Sequence, residues 1–185
     1  AGPAAIGGRV VAVWPSDQRP SWLVESGPYR TPGGAIPQYD LGEQGGEAAL
    51  PPITANAAVH RSLFQRHGLF RADLDGGIAV GEDTEFFERL RAAGERVLYA
   101  PEAIVYHPVP MGRLSKRYFS RWSFDAGRAA LRMHSPPAAA KRYFGVPRYY
   151  LKNLAALVPR WLMSCGEGKR FHYWMRMCGQ AGQIM

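Results

Sequence analysis

The chain of 185 residues has about the length of one domain, and a composition of 46% hydrophobic and 21% charged residues excludes a disordered acidic tail, a collagen and a coiled coil. Its apolar runs fall far short of the ~18 residues that a membrane-spanning helix needs, and its two cysteines, Cys165 and Cys178, exclude a disulfide framework, so we expect a reducing, cytoplasmic compartment. The net charge of +8 hides an acidic part and a basic part, because residues 1–107 carry nine Arg and thirteen acidic residues, whereas residues 108–185 carry fourteen Lys or Arg and two acidic residues.

The N-terminal third of the chain predicts one strand followed by a long loop. The β-branched run from Ile6 to Trp14 predicts a strand that is entered through a Gly-Gly turn. Residues 15–53 are rich in Pro and Gly and predict a loop. A loop of this length in a compact domain is often functional, although a flexible surface loop without a function explains its composition equally well.

Two helices are predicted next. Arg61–His67 predicts a short helix that ends at Gly68. Glu82–Ala93 predicts a longer one, because acidic residues fill its first turn, at the positive end of the helix dipole, and Gly94 follows it. The residues whose helical spacing predicts a buried stripe are Phe86, Leu90 and Ala93.

Two short strands follow, over Arg96–Tyr99 and Ala103–His107, with a corner predicted at Pro101. Ser115 is a good N-cap for a helix over residues 116–133. The apolar face of that helix is predicted to consist of Phe119, Trp122, Ala126, Ala129 and Met133.

A further helical stretch, over residues 148–164, is predicted to break at Pro159. This mixture of strands and helices predicts the α/β class.

Three segments with polar residues form a candidate site: Thr54-Ala-Asn56, Gly81-Glu-Asp-Thr84 and Val105-Tyr-His107. Asp83 begins a predicted helix after a loop that contains Gly76, Gly77 and Gly81, a position from which a carboxylate can point into a cleft as a general base. His107 ends a strand, where its side chain can reach a ligand or a metal. Taken singly, each residue also has a structural explanation: Glu82 and Asp83 as helix caps, His107 as a strand-end residue, and Asn56 as a turn residue.

In combination these segments resemble the C-terminal half of family-2 glycosyltransferases of the GT-A fold. The resemblance covers nearly the whole chain, and its strongest part is Gly81-Glu-Asp-Thr84 followed by Arg89-Leu90 and Gly94. The other matching segments are Ala5–Val10, Trp22, Thr54-Ala-Asn56 with His60-Arg61 and Phe64, Gly68-Leu-Phe70, and Pro101 with Ala103–His107.

The resemblance implies a role for each of these polar residues. Asp83 would be the general base that takes the proton of an acceptor hydroxyl, and Glu82 would help to hold that acceptor. His107 would be a ligand of a divalent metal, Mn²⁺ or Mg²⁺, that grips the diphosphate of a nucleotide-sugar donor. Asn56 would line the sugar side of the cleft. The implied reaction is an inverting transfer to a glycan or a lipid-linked sugar, as in polysaccharide biosynthesis.

The chain departs from the family pattern in its first half. The nucleotide-binding half has no counterpart, and Asp73-Leu-Asp75 occurs in the wrong order to be the family's Asp-x-Asp metal motif. The chain also starts at Ala1-Gly2-Pro3 without Met or a signal peptide. We therefore expect a truncated protein that is inactive alone, with residues 1–112 as the C-terminal half of the catalytic domain and residues 113–185 as a basic, aromatic-rich helical extension.

The basic extension contains a partial match to the Gln-x-x-Arg-Trp motif of processive members. In Tyr118-Phe-Ser-Arg121-Trp122 the Gln is replaced by Tyr, which argues against a processive polymerase. Arg121 and Trp122 would contact the acceptor and the diphosphate. Further basic residues are candidates for contacts with the donor phosphates: Arg113, Lys116, Arg117 and Arg128. Alternatively, these residues form a solvated helix face.

Residues 143–163 interleave aromatic residues with Lys and Arg, as at the headgroup level of a membrane. This pattern favours a peripheral position at the inner face of the membrane, although packing of a helix explains the aromatic residues as well. A basic membrane-surface module or a nucleic-acid-binding module without catalysis therefore stays open as an alternative. Nucleic acid is disfavoured, because none of the common binding signatures occurs in the sequence.

Overall fold

The computed structural model describes residues 4–16, 19–31, 34–74, 78 and 81–185. Its contacts divide the chain into two compact units. The first comprises Ala1–Pro15, Ile36–Asp75 and Gly81–Val109, and the second Ser16–Ala35, Gly76–Val80 and Pro110–Met185. The longest segment of the second unit begins at Pro110, near the predicted boundary at residue 112, but the unit also includes two earlier segments. The two predicted domains therefore remain a prediction.

A mixed sheet of four strands forms the centre of the first unit. The strands are β1 (Ala5–Val13), β2 (Gly46–Glu47), β3 (Ala57–Val59) and β4 (Val97–Pro108), in the order β2-β4-β1-β3. β1 and β4 run parallel, and the outer strands pair antiparallel to them. The predicted α/β class is confirmed.

β4 differs from its prediction, because it is one strand of twelve residues rather than two strands with a corner at Pro101. Its register against β1 changes from Gly8↔Ala100 to Arg9↔Ile104, so that residues 101–103 have no partner and form a bulge. A Pro that lacks an N–H is tolerated at such a bulge, where no ladder bond is lost.

The helices of the first unit are α1 (Arg61–His67) and α2 (Glu82–Ala92), as predicted apart from the last residue of α2. Gly68 follows α1 and Gly94 follows α2, both with positive φ. Phe86 and Leu90 are fully buried, as predicted, but Ala93 is exposed, because it lies beyond the last turn of the helix. The core also contains Ala5, Val10, Tyr39, Ala48, Leu63, Phe87, Val97 and Tyr99.

Three long helices dominate the second unit: α3 (Lys116–Met133), α4 (Arg148–Leu162) and α5 (Glu167–Ile184). A small hairpin of β5 (Arg142–Tyr143) and β6 (Val146–Pro147) precedes α4. α5 was not predicted. Among the described residues, no helix is long and apolar enough to cross a bilayer.

The predicted break of α4 at Pro159 is wrong, because the helix continues to Leu162. Pro159 removes the backbone bond to the Ala155 carbonyl. Both residues are exposed, so water can take the place of the missing donor.

α3 begins after Ser115, whose Oγ accepts from the Tyr118 N–H at 3.2 Å, as predicted. Its predicted apolar face is only partly buried: Phe119 and Ala129 are buried, whereas Trp122, Ala126 and Met133 are half-buried. Phe119 packs edge-on against Trp22, with their ring centroids 5.1 Å apart, and Trp22 in turn contacts Phe171 of α5.

α3 and α5 cross with their backbones in direct contact. This contact explains why the buried face of α3 differs from its predicted apolar face. A Cβ added to Gly127 would overlap the carbonyl oxygen of Gly179, and a Cβ added to Gly182 would overlap that of Phe124. Glycine is therefore the residue that allows the two helices to approach this closely.

We predict that Gly127→Ala destabilises the chain by about 1–3 kcal/mol, because the helices must separate to admit the methyl group. This cost opposes the gain of about 1 kcal/mol that Ala normally brings to a helix interior. Gly179→Ala is the matched control, because its Cβ would meet only the Ser123 oxygen at 3.5 Å, an ordinary contact. Urea unfolding of both variants measures the difference, and equal stabilities would contradict the close crossing.

Candidate active site

Asp83 lies in the first turn of α2 and is half-buried. Gly81 precedes the helix with φ +101°, a left-handed conformation that aims the chain into α2 at low steric cost. Asp83 Oδ1 accepts from the N–H of Thr84 at 2.7 Å, and Oδ2 accepts from the N–H of Thr54 at 3.3 Å. The carboxylate thus joins the start of α2 to the Thr54–Asn56 turn.

Glu82 has one carboxylate oxygen, Oε2, that is buried and has no hydrogen-bond partner among the residues that the structure describes. An unsatisfied buried acceptor costs about 1–3 kcal/mol or more, and native folds keep few of them. Glu82 and Asp83 place two carboxylates in the first turn of one helix, at its positive end.

Asn56 ends the short 3₁₀ turn Thr54–Asn56. Its Nδ2 donates to the Arg9 carbonyl at 3.0 Å and to the Ala103 carbonyl at 2.7 Å, so the side chain ties β1 to the bulge of β4. Gly8 makes room for this amide, because a Cβ there would overlap Asn56 Nδ2. Both N–H groups of Asn56 are thus used by the backbone.

His107 lies on β4, opposite Ala12 of β1, and is half-buried. Three residues of extended strand lie between it and Ala103, so the Cα atoms of His107 and Ala103 are about 13 Å apart. Its Nδ1 is 3.1 Å from the Pro108 carbonyl oxygen. Because a carbonyl only accepts, Nδ1 carries the hydrogen, and Nε2 has the lone pair that a metal would need.

The structure thus brings Asp83 and Asn56 to one short turn and connects that turn to the strand of His107. Among the described residues, it does not bring together the ligands of a metal site. No group of three or more His, Cys, Asp or Glu side chains in the described ranges could hold an ion, so these residues do not by themselves fit a divalent cation. Asp73 pairs with Arg71 at 2.7 Å, and Asp75, Gly76 and Gly77 lie outside the described residues.

Arg121 and Trp122 belong to the second unit. The Arg121 side chain is exposed, and its Nε lies 4.0 Å from Oδ2 of the buried Asp125, at the outer limit of an ion pair. The indole of Trp122 packs on Gly34, where a Cβ would come within 2.6 Å of the ring. Trp122 therefore has a packing role within this unit, whereas the guanidinium of Arg121 remains accessible.

Comparison with known proteins gives one informative similarity. The chain is 30% identical over 141 residues to the succinoglycan biosynthesis protein ExoM of Rhizobium meliloti (strain 1021). That alignment includes 76% of this chain and 42% of ExoM, so the chain spans about two fifths of the length of the curated relative it matches. No family model matches the chain, and no solved structure does.

The aligned length is most of the chain, so the similarity is not confined to an isolated motif.

A cavity of about 260 Å³ in the second unit was missed by sequence reasoning, because four of its six lining residues lie on the unpredicted α5. It is lined by Lys116, Trp161, Glu167, Arg170, Phe171 and Trp174. Lys116 Nζ donates to Glu167 at 2.6 Å, and this bond, together with one from Ser21, lowers the pKa of the Glu167 carboxyl. Arg170 lies 4.8 Å from the Trp161 ring centroid, so a cation already covers that aromatic surface.

Proposed function

We propose that the full-length protein is a family-2 glycosyltransferase of the GT-A fold, which transfers a sugar from a nucleotide-sugar donor to a hydroxyl group of a glycan or a lipid-linked sugar. The observation that carries the proposal is the hydrogen bond between Asp83 and Thr54. It joins, across nearly thirty residues of sequence, the two segments that most resemble that family. The similarity to ExoM supports a role in polysaccharide biosynthesis.

The proposed mechanism begins with an acceptor hydroxyl that donates its hydrogen bond to Asp83 Oδ2. Among the described residues, this oxygen accepts one bond, the long one from the Thr54 N–H, so it keeps a lone pair for a proton, while Thr84 fixes Oδ1. As the acceptor oxygen attacks the anomeric carbon, its proton moves to Asp83, and the bond to the nucleoside diphosphate breaks on the opposite face. Attack opposite the leaving group inverts the anomeric configuration.

Glu82 serves this step by binding rather than by proton transfer. Its carboxylate lies beside Asp83 in the first turn of α2 and helps to hold the acceptor, which fixes the orientation of the attacking hydroxyl. Asn56 contributes its amide oxygen to the sugar side, and Arg121, Trp122 and neighbouring cations of α3 are the proposed contacts of the acceptor and the diphosphate. The charge of residues 108–185 favours such an anionic group.

The direct test is an assay of the full-length protein. Radiolabelled nucleotide sugars are supplied one at a time with a lipid extract and oligosaccharide acceptors, and both transferred label and released nucleoside diphosphate are measured. We expect transfer from one donor, with inversion visible in the anomeric NMR coupling of the product. Failure to transfer or hydrolyse any donor would reject the proposal.

We also propose that the full-length protein uses Mn²⁺ or Mg²⁺, with His107 Nε2 as one ligand and carboxylates of the upstream, donor-binding half as the others. His107→Ala is then expected to raise the metal concentration needed for half-maximal activity about 10- to 100-fold, as loss of a metal-site group typically does. Titration of activity against Mn²⁺ measures the shift, and His134→Ala is the control. An unchanged metal requirement would assign His107 a structural role.

The second candidate function is a basic binding module without catalysis, which the charge of residues 108–185 favours. We propose a cytoplasmic protein that is peripheral at the inner face of the membrane, and we place nucleic acid second. Binding to vesicles or to DNA without sugar turnover in the assay above would favour this candidate.

A further inference from the structure

The β5–β6 hairpin of the second unit holds a phenylalanine in solvent. Phe144 and Gly145 form its two-residue turn, with φ +51° and +81°, and the Phe144 side chain is fully exposed (104%). Turns of this type require two positive φ values and normally have Asn or Asp before the Gly. Within the described ranges, Phe144 is the one residue other than Gly with positive φ.

The hairpin keeps this strained turn through local bonds. Arg142 Nη1 donates to the Gly145 carbonyl at 3.1 Å, and Arg142 and Tyr143 pair with Pro147 and Val146 across the strands. A bulky residue in the left-handed region costs about 1 kcal/mol or more and gains no packing here, so folding does not explain it. Such an outlier points to a function of the exposed ring.

Basic residues flank the turn in the sequence, and no acidic residue lies near it there. Residues 126–166 contain no Asp or Glu. Arg148 lies 5.8 Å from the ring centroid of Tyr143, whose side chain is half exposed. The exposed cations of the hairpin and α4 are Lys141, Arg142, Arg148, Lys152 and Arg160.

The outer face of α4 continues this surface. The helix buries Tyr150 and Leu157, while Leu162 is 63% exposed and the following Met163 is 80% exposed. At 100° per residue, Leu162 lies roughly opposite the buried pair, together with the exposed Ala155 and Pro159. The N-terminal end of this face is basic and its C-terminal end is apolar.

We propose that the β5–β6 hairpin and the outer face of α4 dock onto an anionic lipid bilayer. Phe144 enters the headgroup layer, and Arg142, Arg148 and Lys152 meet lipid phosphates. A bilayer is the occupant that uses both parts of the surface. A second copy of the chain would bring like charges together, and a polynucleotide would leave Leu162 and Met163 in water. The proposal rests on the peripheral membrane position proposed above and does not depend on glycosyl transfer.

The test is sedimentation of the 185-residue chain with vesicles of phosphatidylcholine alone and of an equal mixture with phosphatidylglycerol. We expect binding to the anionic vesicles that weakens with salt. Phe144→Ala is expected to weaken it about 10- to 100-fold, from the transfer free energy of one buried aromatic side chain, and Phe144→Trp to retain it. Lys152→Glu is expected to weaken it further at low salt.

Leu69→Ala is the matched control, because Leu69 is an apolar residue of the first unit with 72% exposure. It should bind vesicles as the unchanged chain does, and circular dichroism establishes that each variant folds. Failure to bind anionic vesicles, or equal binding by Phe144→Ala, would overturn the proposal. Tighter binding of single-stranded DNA than of vesicles, also lost in Phe144→Ala, would assign the surface to nucleic acid instead.

Discussion

Asp83→Asn is expected to lower sugar transfer by the full-length protein about 10²–10⁴-fold, the usual cost of losing a general base. The amide has the same shape and can still accept the bond from Thr84 or Thr54, so α2 keeps its position. It cannot take a proton from the acceptor hydroxyl. Donor binding, measured by calorimetry, and the unfolding transition should change little, whereas kcat falls.

Asp73→Asn is the control for this substitution. Asp73 is an exposed carboxylate that pairs with Arg71 on a short 3₁₀ turn, and loss of such a surface pair costs about 0–1 kcal/mol. Its kcat should equal that of the unchanged protein. If Asp83→Asn kept most of its turnover, or lost activity only because it unfolded, Asp83 would be a helix-capping acid.

Phe86→Ala is expected to destabilise the chain by about 3–5 kcal/mol, as for other fully buried Phe side chains. Phe86 is 0% exposed and contacts the rings of Phe64, Phe70 and Phe87, with centroid distances of 5.2, 4.7 and 5.6 Å. Its removal leaves a cavity beneath the helix whose first turn carries Glu82 and Asp83. Urea unfolding monitored by circular dichroism measures the loss.

Phe144→Ala serves as the comparison, because it removes the same side chain from a fully exposed position. Its free energy of unfolding should change by less than about 0.5 kcal/mol. Equal losses in the two variants would contradict the burial of Phe86. A small loss in both would mean that α2 packs less tightly on the sheet than its contacts indicate.

Local signals were sufficient to predict several elements. α1, α2 and α3 were predicted within one residue of their observed bounds, because their ends depend on nearby residues: a Ser N-cap before α3, and glycines with positive φ after α1 and α2. The α/β class followed from the same signals.

Features that depend on distant partners were not predicted. Pro101 marks a bulge and not a corner, because its neighbour β1 continues past it and Asn56 holds the extra residues. α5 has glycines at 168, 179 and 182, which lower its helix propensity, and its stability comes from packing on α3. The sequence alone does not show this packing.

The candidate site was predicted in part. Thr54-Ala-Asn56 and Gly81-Glu-Asp-Thr84 were singled out, and the structure joins them through Asp83. Sequence could not show that the amide of Asn56 is occupied by backbone carbonyls or that the indole of Trp122 packs on Gly34, because both contacts span long stretches of chain. The roles of Asp83, Glu82, Asn56, Arg121, Trp122 and His107 stay predictions.

The three residues of the β4 bulge change the position of the histidine along the sheet. Before the bulge Val97 and Tyr99 are level with Ala5 and Gly7, and after it Val105 and His107 are level with Val10 and Ala12. Without the bulge, the register of Val97 with Ala5 would place His107 level with Pro15. The three extra residues therefore hold the histidine about 10 Å further back along β1, beside Ala12.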